Sequence, residues 1–581
     1  MDTRRLIVAA ALSFGFLVLW HFFFPAETPV PTPPSTAATA PAAANGTTAA
    51  SAPGQPAAGA PVTPPAPGEP KVAEIAAAPA HEVVQAAAVE SVVIETKDAR
   101  VELSNRGADF RSYALKNQHD ATGKPLELVR SRESGPYPFA IVDAAGRPTV
   151  LESALFRATR SPDGKRVDFE FSDGKIWARK SFGFRPDGLF DVDVQVEGLK
   201  GWALAVGPGI RNLTAEELGS RFERREGLYL TGGEVEVLDP QKQKEVKEVS
   251  GAGLGWVALD DTYFLTAVVP FEGFAKAVFQ PVLLTPGPQG LGTTPLPAEM
   301  TSDQKKLKRD FWIYLYPAGD HLKLGSFWGS KERQQLAALP HGLGKALRLG
   351  TFWWLAQPLL SALHWIYDHA VPNYGWAIIL LTTLIKIVLL PLTHSSTKSM
   401  RKMQELNPKL QALRERYRTK LRDKNGRPNL EMQRKMNEEM MGIYKAEGVQ
   451  PTGGCLPMIL QMPVFFAFYS VLYSAVELRN APWIFWIHDL SAKDPYYILP
   501  LVMGATQFLQ VRMTPSVGDP MQRRLFQFMP VVMTFLFLGF PSGLVLYWLT
   551  NNVLTIAQQA VYNRWILPTT PAGSTLPAKA K

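Results

Sequence analysis

The sequence predicts a mixed fold, in which a polytopic α-helical membrane core with six transmembrane helices is joined to a separate all-β domain. The run at residues 373–393 is long and apolar enough to cross a bilayer, although it contains one charge, Lys386. Residues 91–317 contain stretches with the two-residue alternation of apolar and polar side chains that is typical of β-strands. Four more apolar runs follow the first, at 455–476, 495–511, 525–540 and 544–562.

The chain begins with a predicted transmembrane anchor at residues 1–24. Arg4 and Arg5 precede its apolar run, which favours a cytoplasmic N-terminus under the positive-inside rule. A cleaved signal peptide is the alternative, but signal peptides carry small residues after the apolar run, where this chain has phenylalanines and Pro25. Residues 25–90 are rich in proline and alanine and have few large apolar side chains, so we expect a disordered tether outside the cytoplasm.

Residues 91–340 are predicted to form an all-β sandwich. The segment 190–197 alternates phenylalanine or valine with acidic or amide residues, as in a strand with one buried face. Asp173 and Gly174 follow a similar alternating run and predict a hairpin turn. Because a single span precedes it, this domain should lie outside the cytoplasm. Its scattered histidines and aspartates have no metal-site or catalytic-triad spacing, so we expect no active site there.

The segment 341–372 is ambiguous, because its uncharged run 349–367 could also cross a membrane. The loop 394–451 is densely basic, the loop 512–524 carries three arginines against one aspartate, and the loop 479–494 is balanced. Only if 349–367 lies along the membrane surface do both basic loops fall on the cytoplasmic side. We therefore predict an interfacial amphipathic helix, six spans in total, and cytoplasmic N- and C-termini.

The long basic loop is predicted to contain a helical hairpin at residues 396–448, within a five-helix core at 373–562 that is followed by a tail at 563–581. Apolar residues recur at helical spacing on both sides of a turn at 423–428. This methionine-rich seam is a candidate docking surface, because methionine adapts to varied shapes; a solvated two-helix excursion is the alternative. The basic faces suit contact with ribosomal RNA or anionic lipid headgroups. The seam residues are Met403, Leu410, Leu413, Tyr417, Met436 and Met440.

The helical part shows no enzymatic motif. We find no P-loop, no Gly-x-Ser-x-Gly elbow and no His-Glu-x-x-His zinc motif, so we expect neither catalysis nor a cofactor or metal. The single cysteine, Cys455, excludes an intramolecular disulfide. Lys386 has no deep acidic partner in another run, and a water-filled groove open to the cytoplasm would hydrate its charge. These features leave a solute transporter or channel open as one function of the helical part, and a membrane-bound enzyme as another.

Several specific motifs follow one another in a fixed order along residues 343–562. These motifs are Asn373-Tyr-Gly-Trp, Pro391-Leu-Thr, Tyr444-Lys-Ala-Glu, Gly453-Gly-Cys-Leu-Pro, Gln461-Met-Pro, Trp486-Ile-His-Asp-Leu, Asp494-Pro-Tyr-Tyr-Ile-Leu-Pro, Asp519-Pro-Met and Phe540-Pro-Ser-Gly-Leu-Val-Leu-Tyr. The clearest local match in the β-domain is Gly255-Trp-Val-Ala. Together they resemble the YidC family of membrane protein insertases, in its Gram-negative bacterial form with a large periplasmic domain.

The resemblance implies insertion and folding of nascent inner-membrane proteins, alone or with the Sec translocon. The five-helix core would enclose a hydrophilic groove, open to the cytoplasm and closed towards the periplasm. Its positive charge would be Lys386, where bacterial members often carry arginine. The periplasmic domain would resemble a supersandwich whose relatives include sugar-binding enzymes, without their activity carried over. Nascent membrane proteins and membrane lipids are the expected partners; the Sec translocon and the ribosome stay open, and no specific nucleic acid sequence is expected.

Two sets of site residues follow from the resemblance and from the apolar and polar positions of the runs. The first set would line the groove. The second would form an apolar surface on the third and fifth spans along which the substrate moves, called the slide below. The groove set is Thr382, Gln461, Gln507, Tyr547, Trp548 and Asn551. The slide set is Met462, Pro463 and Phe465, with Phe526, Met529 and Met533 chosen from apolar facing alone.

Overall fold

The computed structural model describes residues 81–566, apart from 121, 131–135, 215–216, 219–222, 288–289, 298, 422–428, 449–455 and 515–519. The predicted anchor, most of the predicted tether and nearly all of the predicted tail therefore lie outside the described residues. The chain divides into two compact units. One consists of Ala73–Gln404 and Val449–Lys581, and the other of Met1–Val72 and Glu405–Gly448.

Nineteen strands among the described residues form three antiparallel sheets. The four-stranded sheet has the order β1-β2-β3-β4, and the six-stranded sheet has the order β13-β16-β18-β10-β5 with β17 paired to β16. The nine-stranded sheet has the order β12-β11-β14-β15-β19-β9-β8-β7-β6. The strands are β1 Ser91–Glu95, β2 Ala99–Ser104, β3 Asp109–His119, β4 Pro125–Glu127, β5 Ile141–Val142, β6 Arg157–Arg160, β7 Arg166–Ser172, β8 Trp177–Phe184, β9 Leu189–Glu197, β10 Ala203–Val206, β11 Arg225–Thr231, β12 Glu234–Leu238, β13 Lys247–Ser250, β14 Leu254–Asp261, β15 Phe264–Glu272, β16 Phe274–Gly287, β17 Gly290–Pro295, β18 Arg309–Pro317 and β19 His321–Ser330.

One hydrophobic core joins side chains from all three sheets. Phe110 of β3, Val192 of β9 and Ile313 of β18 belong to the same buried cluster. Along β9 the phenylalanine and the three valines of the predicted alternation are fully buried, whereas the intervening polar residues are half-exposed. The prediction of a large β-rich domain is thus confirmed.

The predicted disordered tether extends too far at its C-terminal end. Residues 81–90 pack on the β-domain, where the backbone of Val84 pairs with Ser172 through hydrogen bonds of 3.0 and 2.8 Å. The amide of Ala86 also donates to the carbonyl of Leu155 at 3.0 Å. Backbone pairing to an existing sheet does not require large apolar side chains, which is why composition alone predicted disorder here.

The C-terminal part is helical, as predicted. Among its helices, α10 packs against α3, α7 and α8, and α2 packs against α3 and α7. The bounds are α1 Arg333–Ala338, α2 Trp353–His369, α3 Tyr374–Val388, α4 Leu390–Glu405, α5 Asn407–Arg418, α6 Leu430–Ala446, α7 Leu456–Ser474, α8 Ile498–Met513, α9 Pro520–Phe537 and α10 Ser542–Val561.

Taken one at a time, none of the described helices combines the length and the apolar character that a bilayer crossing requires. The bent pair formed by α3 and α4 meets both criteria as a unit.

The apolar run at 373–393 does not form one straight helix. Helix α3 ends and α4 begins with one residue between them, and their axes differ by 61°. Pro391 accounts for the break, because it has no amide hydrogen for the carbonyl of Ile387 and its ring crowds the preceding turn. Lys386 therefore lies in the last turn of α3 rather than two turns inside a longer helix.

The predicted hairpin at 396–448 also begins too early. Residues 396–405 continue α4, and the helix breaks at Leu406, just before α5. Pro408 occupies the second position of α5, where its missing amide hydrogen costs nothing, so α5 starts as a new helix. The hairpin itself consists of α5 and α6, which pack against each other.

Polar contacts join the β-domain to the helical region within their shared unit. Arg479, in the loop after α7, donates to the backbone carbonyl of His119 at 2.6 Å, and Asn480 donates to the same oxygen at 3.0 Å. Val476 from this loop is buried in the core of the β-domain. Arg333 of α1 donates to the hydroxyl of Ser361 on α2 at 2.6 Å.

Candidate functional site

Lys386 is held between two helices. Its side chain is half-buried, and Nζ donates to the hydroxyl of Thr555 on α10 at 2.9 Å. No charged group acts on this ammonium among the residues that the structure describes. Because Lys386 lies in the last turn of α3, the partial negative charge at the C-terminal end of that helix favours the cation. The site thus holds a positive charge without neutralising it.

A polar stripe runs along one face of α10. Tyr547, Asn551, Thr555 and Gln558 follow one another at intervals of three or four residues, which places them on one side of the helix. Tyr547 accepts a hydrogen bond from the amide of Gln461 on α7 at 2.9 Å, so the structure brings these two predicted groove residues together. The stripe therefore links three helices through polar groups.

Thr555 and Gln558 were missed by the sequence prediction. Gln558 donates to the hydroxyl of Thr393 on α4 at 3.0 Å, and the hydroxyl of Thr555 accepts the hydrogen bond from Lys386. The signal that could have found them is their helical spacing from Asn551, which was among the predicted residues.

Four amide oxygens on α8 and α10 lack a partner. Gln507 Oε1 and Gln510 Oε1 on α8, and Asn551 Oδ1 and Gln559 Oε1 on α10, are buried and accept no hydrogen bond from any described residue. On the neighbouring face, Asn552 donates to the carbonyl of Met503 at 3.2 Å, and Gln559 donates to the hydroxyl of Thr514 at 2.8 Å. A buried acceptor without a donor is costly, so these oxygens favour contact with water or with a polar ligand.

Two predicted groove residues are engaged elsewhere. Thr382 is buried, and its hydroxyl donates to the carbonyl of Ile378 in its own helix at 2.7 Å. Trp548 packs edge-on against Phe465, with ring centroids 4.9 Å apart, and against Phe537 at 5.1 Å. Trp548 is therefore an aromatic packing residue between α7, α9 and α10.

The predicted slide is only partly exposed. Met462, Pro463 and Phe465 of α7 are half-buried, and Phe465 is covered in part by Trp548. On α9, Met529 is exposed and Met533 is half-buried, while the side chain of Phe526 lies outside the described residues.

A continuous apolar face of α9 was not predicted. Phe528, Val532 and Phe535 are 68%, 54% and 71% exposed, and their spacing of four and three residues places them on one side of the helix. Neighbouring positions were predicted instead because most of this run is apolar, so the direction in which each side chain faces could not be read from composition.

In the hairpin, the predicted seam forms the interior between α5 and α6. Leu410, Leu413 and Tyr417 are buried, and Met436 and Met440 are half-buried. These side chains pack within the hairpin itself, whereas Met403 belongs to α4.

The hairpin is fastened by polar contacts and contains a cavity of about 560 Å³. The hydroxyl of Tyr417 donates to Glu439 at 2.5 Å, and Lys409 pairs with Glu447 at 2.6 Å. The cavity is lined by residues of both helices, including Leu413 and Ile443. No group of three or more metal-ligating side chains occurs anywhere in the part of the chain that the structure describes.

Comparison with known proteins covers both halves of the chain. The family described as 60Kd inner membrane protein matches residues 365–569, and the family described as YidC periplasmic domain matches residues 91–362. A membrane protein insertase YidC from Geobacter metallireducens is 37% identical in an alignment 527 positions long, which covers 87% of this chain and 92% of the relative. The one from Syntrophus aciditrophicus is 34% identical in an alignment 590 positions long, which covers 97% of this chain and 100% of the relative.

A crystal structure of an active YidC insertase with its first transmembrane domain resolved covers 84% of this chain and 94% of its own, at 18% identity and a TM-score of 0.34. A score this low does not establish a shared fold, so the assignment rests on the sequence matches. On those matches, the chain belongs to the YidC family of membrane protein insertases.

Proposed function

We propose that this chain inserts nascent membrane proteins through a hydrophilic groove, in which Lys386 attracts the polar or acidic flank of a substrate. The observation that carries the proposal is the half-buried ammonium of Lys386, which is held by the hydroxyl of Thr555 and lacks a carboxylate among the described residues. The unpartnered amide oxygens of Gln507 and Asn551 add acceptors for water or for substrate backbone.

In this mechanism a polar flank enters the groove while the adjoining apolar segment moves sideways into lipid. The exposed face of α9 formed by Phe528, Val532 and Phe535 is the surface along which the apolar segment leaves. Partitioning supplies the driving force, at about 25 cal/mol for each Å² of apolar surface removed from water. The positive charge lowers the cost of bringing an acidic flank partway into the membrane.

We further propose six membrane spans in a bacterial inner membrane, with the β-domain in the periplasm and both termini in the cytoplasm. Helix α2 would lie at the membrane surface, a position supported by its tryptophans Trp353, Trp354 and Trp365, each about 60% exposed. The basic hairpin would then face the cytoplasm, where it could meet lipid headgroups or a ribosome. Cooperation with the Sec translocon belongs to the same proposal.

The groove charge is tested by replacing Lys386 with methionine. Insertion of a substrate with an acidic translocated tail into proteoliposomes should fall at least about tenfold, because the positive charge that attracts the tail is removed. Insertion of the same substrate with a neutral tail should change much less. Lys386→Arg keeps the charge and should retain most activity. Lys398→Met, at an exposed position of α4, is the matched control. Equal loss for both substrates would contradict the charge mechanism.

The proposed topology is tested with single cysteines in a Cys455→Ser background. A membrane-impermeant maleimide should label a cysteine at exposed Ser250 in spheroplasts, because β13 would lie in the periplasm. A cysteine at exposed Asn437 of α6 should be labelled only after lysis. Labelling of Asn437→Cys in sealed spheroplasts would overturn the orientation.

A further inference from the structure

A cavity of about 210 Å³ lies in the β-domain, beside the start of β11. Three cationic side chains line it, those of Arg224, Arg225 and Lys308. The loop after β12 forms another wall, where Arg309 fixes Gln241 by donating to its backbone carbonyl at 3.0 Å. The cavity is therefore preformed.

Arg225 is the unsatisfied group of this cavity. It is only 9% exposed, and its Nε and Nη1 atoms are buried without an acceptor among the described residues. A buried guanidinium with unused donors is costly, because it has given up its hydration without replacing it. Burial, together with the charge of Arg225, lowers the pKa of Lys308. Arg225 and Lys308 thus share one cavity, and an anion there would accept from the unused donors of Arg225.

The acidic side chains of the lining are already engaged. Glu226 accepts from Arg348, and Asp239 accepts the backbone amide of Gln241 at 2.8 Å. Glu223 is near Arg211, at 3.3 Å, yet burial and the charge of Asp261 raise the pKa of Glu223 to about 8. At neutral pH this carboxyl therefore repels an anion little.

The cavity lies next to the helical region. Arg224 places its guanidinium carbon 5.9 Å from the ring centre of Tyr473 at the end of α7. Arg348, the partner of Glu226, precedes α2. A membrane phospholipid and a dissolved phosphate could both reach such a position.

We propose that the cavity around Arg225 binds a phosphate group. Guanidinium and ammonium groups form charge-assisted hydrogen bonds with phosphate oxygens, and the cavity is larger than a bare carboxylate needs. The phosphate either belongs to a phospholipid headgroup or is free in solution. This site is separate from Lys386 and does not depend on the proposed insertion mechanism.

The test uses the full chain, purified and delipidated in a non-ionic detergent and chloride buffer. Isothermal titration at pH 7 should show saturable binding of inorganic phosphate. Lys308→Gln, at a partly exposed position, should weaken the affinity about tenfold or more, since it removes one charge-assisted contact. Arg225→Lys should also weaken it. Lys305→Gln changes an exposed lysine outside the cavity and should leave it unaltered. Unchanged melting temperatures show that each variant is folded.

Dihexanoyl phosphatidylglycerol below its micelle concentration distinguishes the sources. Tighter binding of this lipid than of inorganic phosphate, sensitive to Lys308→Gln, assigns the site to a headgroup; binding of inorganic phosphate alone assigns it to free phosphate. Absence of saturable binding for both ligands would overturn the proposal. Binding unaffected by both cavity variants would overturn it, and so would equal affinity for acetate.

Discussion

Lys180 is a charge enclosed in the β-domain. Its side chain is fully buried, and Nζ donates to the backbone carbonyls of Gly107, Ala108 and Phe139 at 2.6, 3.1 and 2.7 Å. Burial lowers the pKa of this ammonium from 10.5 to about 8, against the opposing charge of Asp109. The folded domain therefore binds this proton less tightly than the unfolded chain does.

This pKa predicts how stability changes with pH. Between about pH 8 and 10.5 the unfolded chain holds the proton and the folded chain releases it, so the lysine's contribution to the free energy of unfolding rises with pH. Lys180→Met should abolish that rise. At pH 7 it should lower the free energy of unfolding by about 3 kcal/mol, because three buried carbonyls lose their donor. Urea unfolding followed by tryptophan fluorescence measures both effects, and equal pH slopes for the two proteins would refute the assignment.

Individual site residues were predictable from sequence only where they were conspicuous. Lys386 stands out because one charge in an apolar run must be compensated. Thr555 does not stand out, because hydroxyl residues are common in helices and its role depends on α10 facing α3. Trp548 was placed in the groove by resemblance, whereas its ring packs on Phe465. Which side chains meet is a property of helix packing that the spacing along one helix does not contain.

At the scale of elements, helices α8 and α9 approach closely at Gly504. A Cβ added there would overlap the hydroxyl of Thr534 on α9. That hydroxyl is itself held by a hydrogen bond of 2.8 Å to the carbonyl of Pro530, so it cannot move aside freely. The contact therefore requires glycine on α8.

Two Gly→Ala substitutions should have opposite effects. Gly504→Ala should destabilise the helical region by about 1–3 kcal/mol through overpacking. Gly442→Ala, in α6, meets no atom within 4 Å and should stabilise its helix by about 0.5–1 kcal/mol, because alanine favours the helix. Thermal unfolding by circular dichroism in detergent compares the two. A stabilising Gly504→Ala would show that the two helices do not pack in this way.

Sequence patterns located the helices and strands more accurately than the points at which they bend or break. The alternation in β9 predicted its buried face because each side chain's direction is set locally. Long apolar runs likewise marked α7 to α10. The bend at Pro391 was missed because hydropathy does not register a lost backbone donor.

At the scale of the whole molecule, the loop after α7 fastens the helical region to the β-domain. Arg479 donates to the carbonyl of His119, and its guanidinium carbon lies 5.6 Å from the ring centre of Phe264. Val476 is buried in the β-domain core close by in sequence. The β-domain and the helical region are therefore coupled through a short segment.

Arg479→Ala should loosen this connection without unfolding either part. Loss of a charge-assisted hydrogen bond is worth about 1–2 kcal/mol at a partly exposed position, so amide exchange around His119 and Val476 should accelerate about tenfold. Hydrogen–deuterium exchange with mass spectrometry measures this. Arg512→Ala, which removes an arginine at the end of α8, should leave exchange in these segments unchanged. Unaltered exchange in Arg479→Ala would mean that the hydrogen bond from Asn480 and the apolar contacts hold the two parts together without Arg479.

The strand order of the nine-stranded sheet also constrains how the chain folds while it is being synthesised. Strand β9 pairs with β19, so that Gln195 lies opposite His321. During synthesis one edge of β9 stays unpaired until β19 has emerged from the ribosome. The segment that forms α2 follows soon after β19 in the chain. Such distant pairings fold slowly, and an open edge invites pairing with other chains. The newly made domain therefore passes through a vulnerable interval, during which a chaperone would be of most use to it.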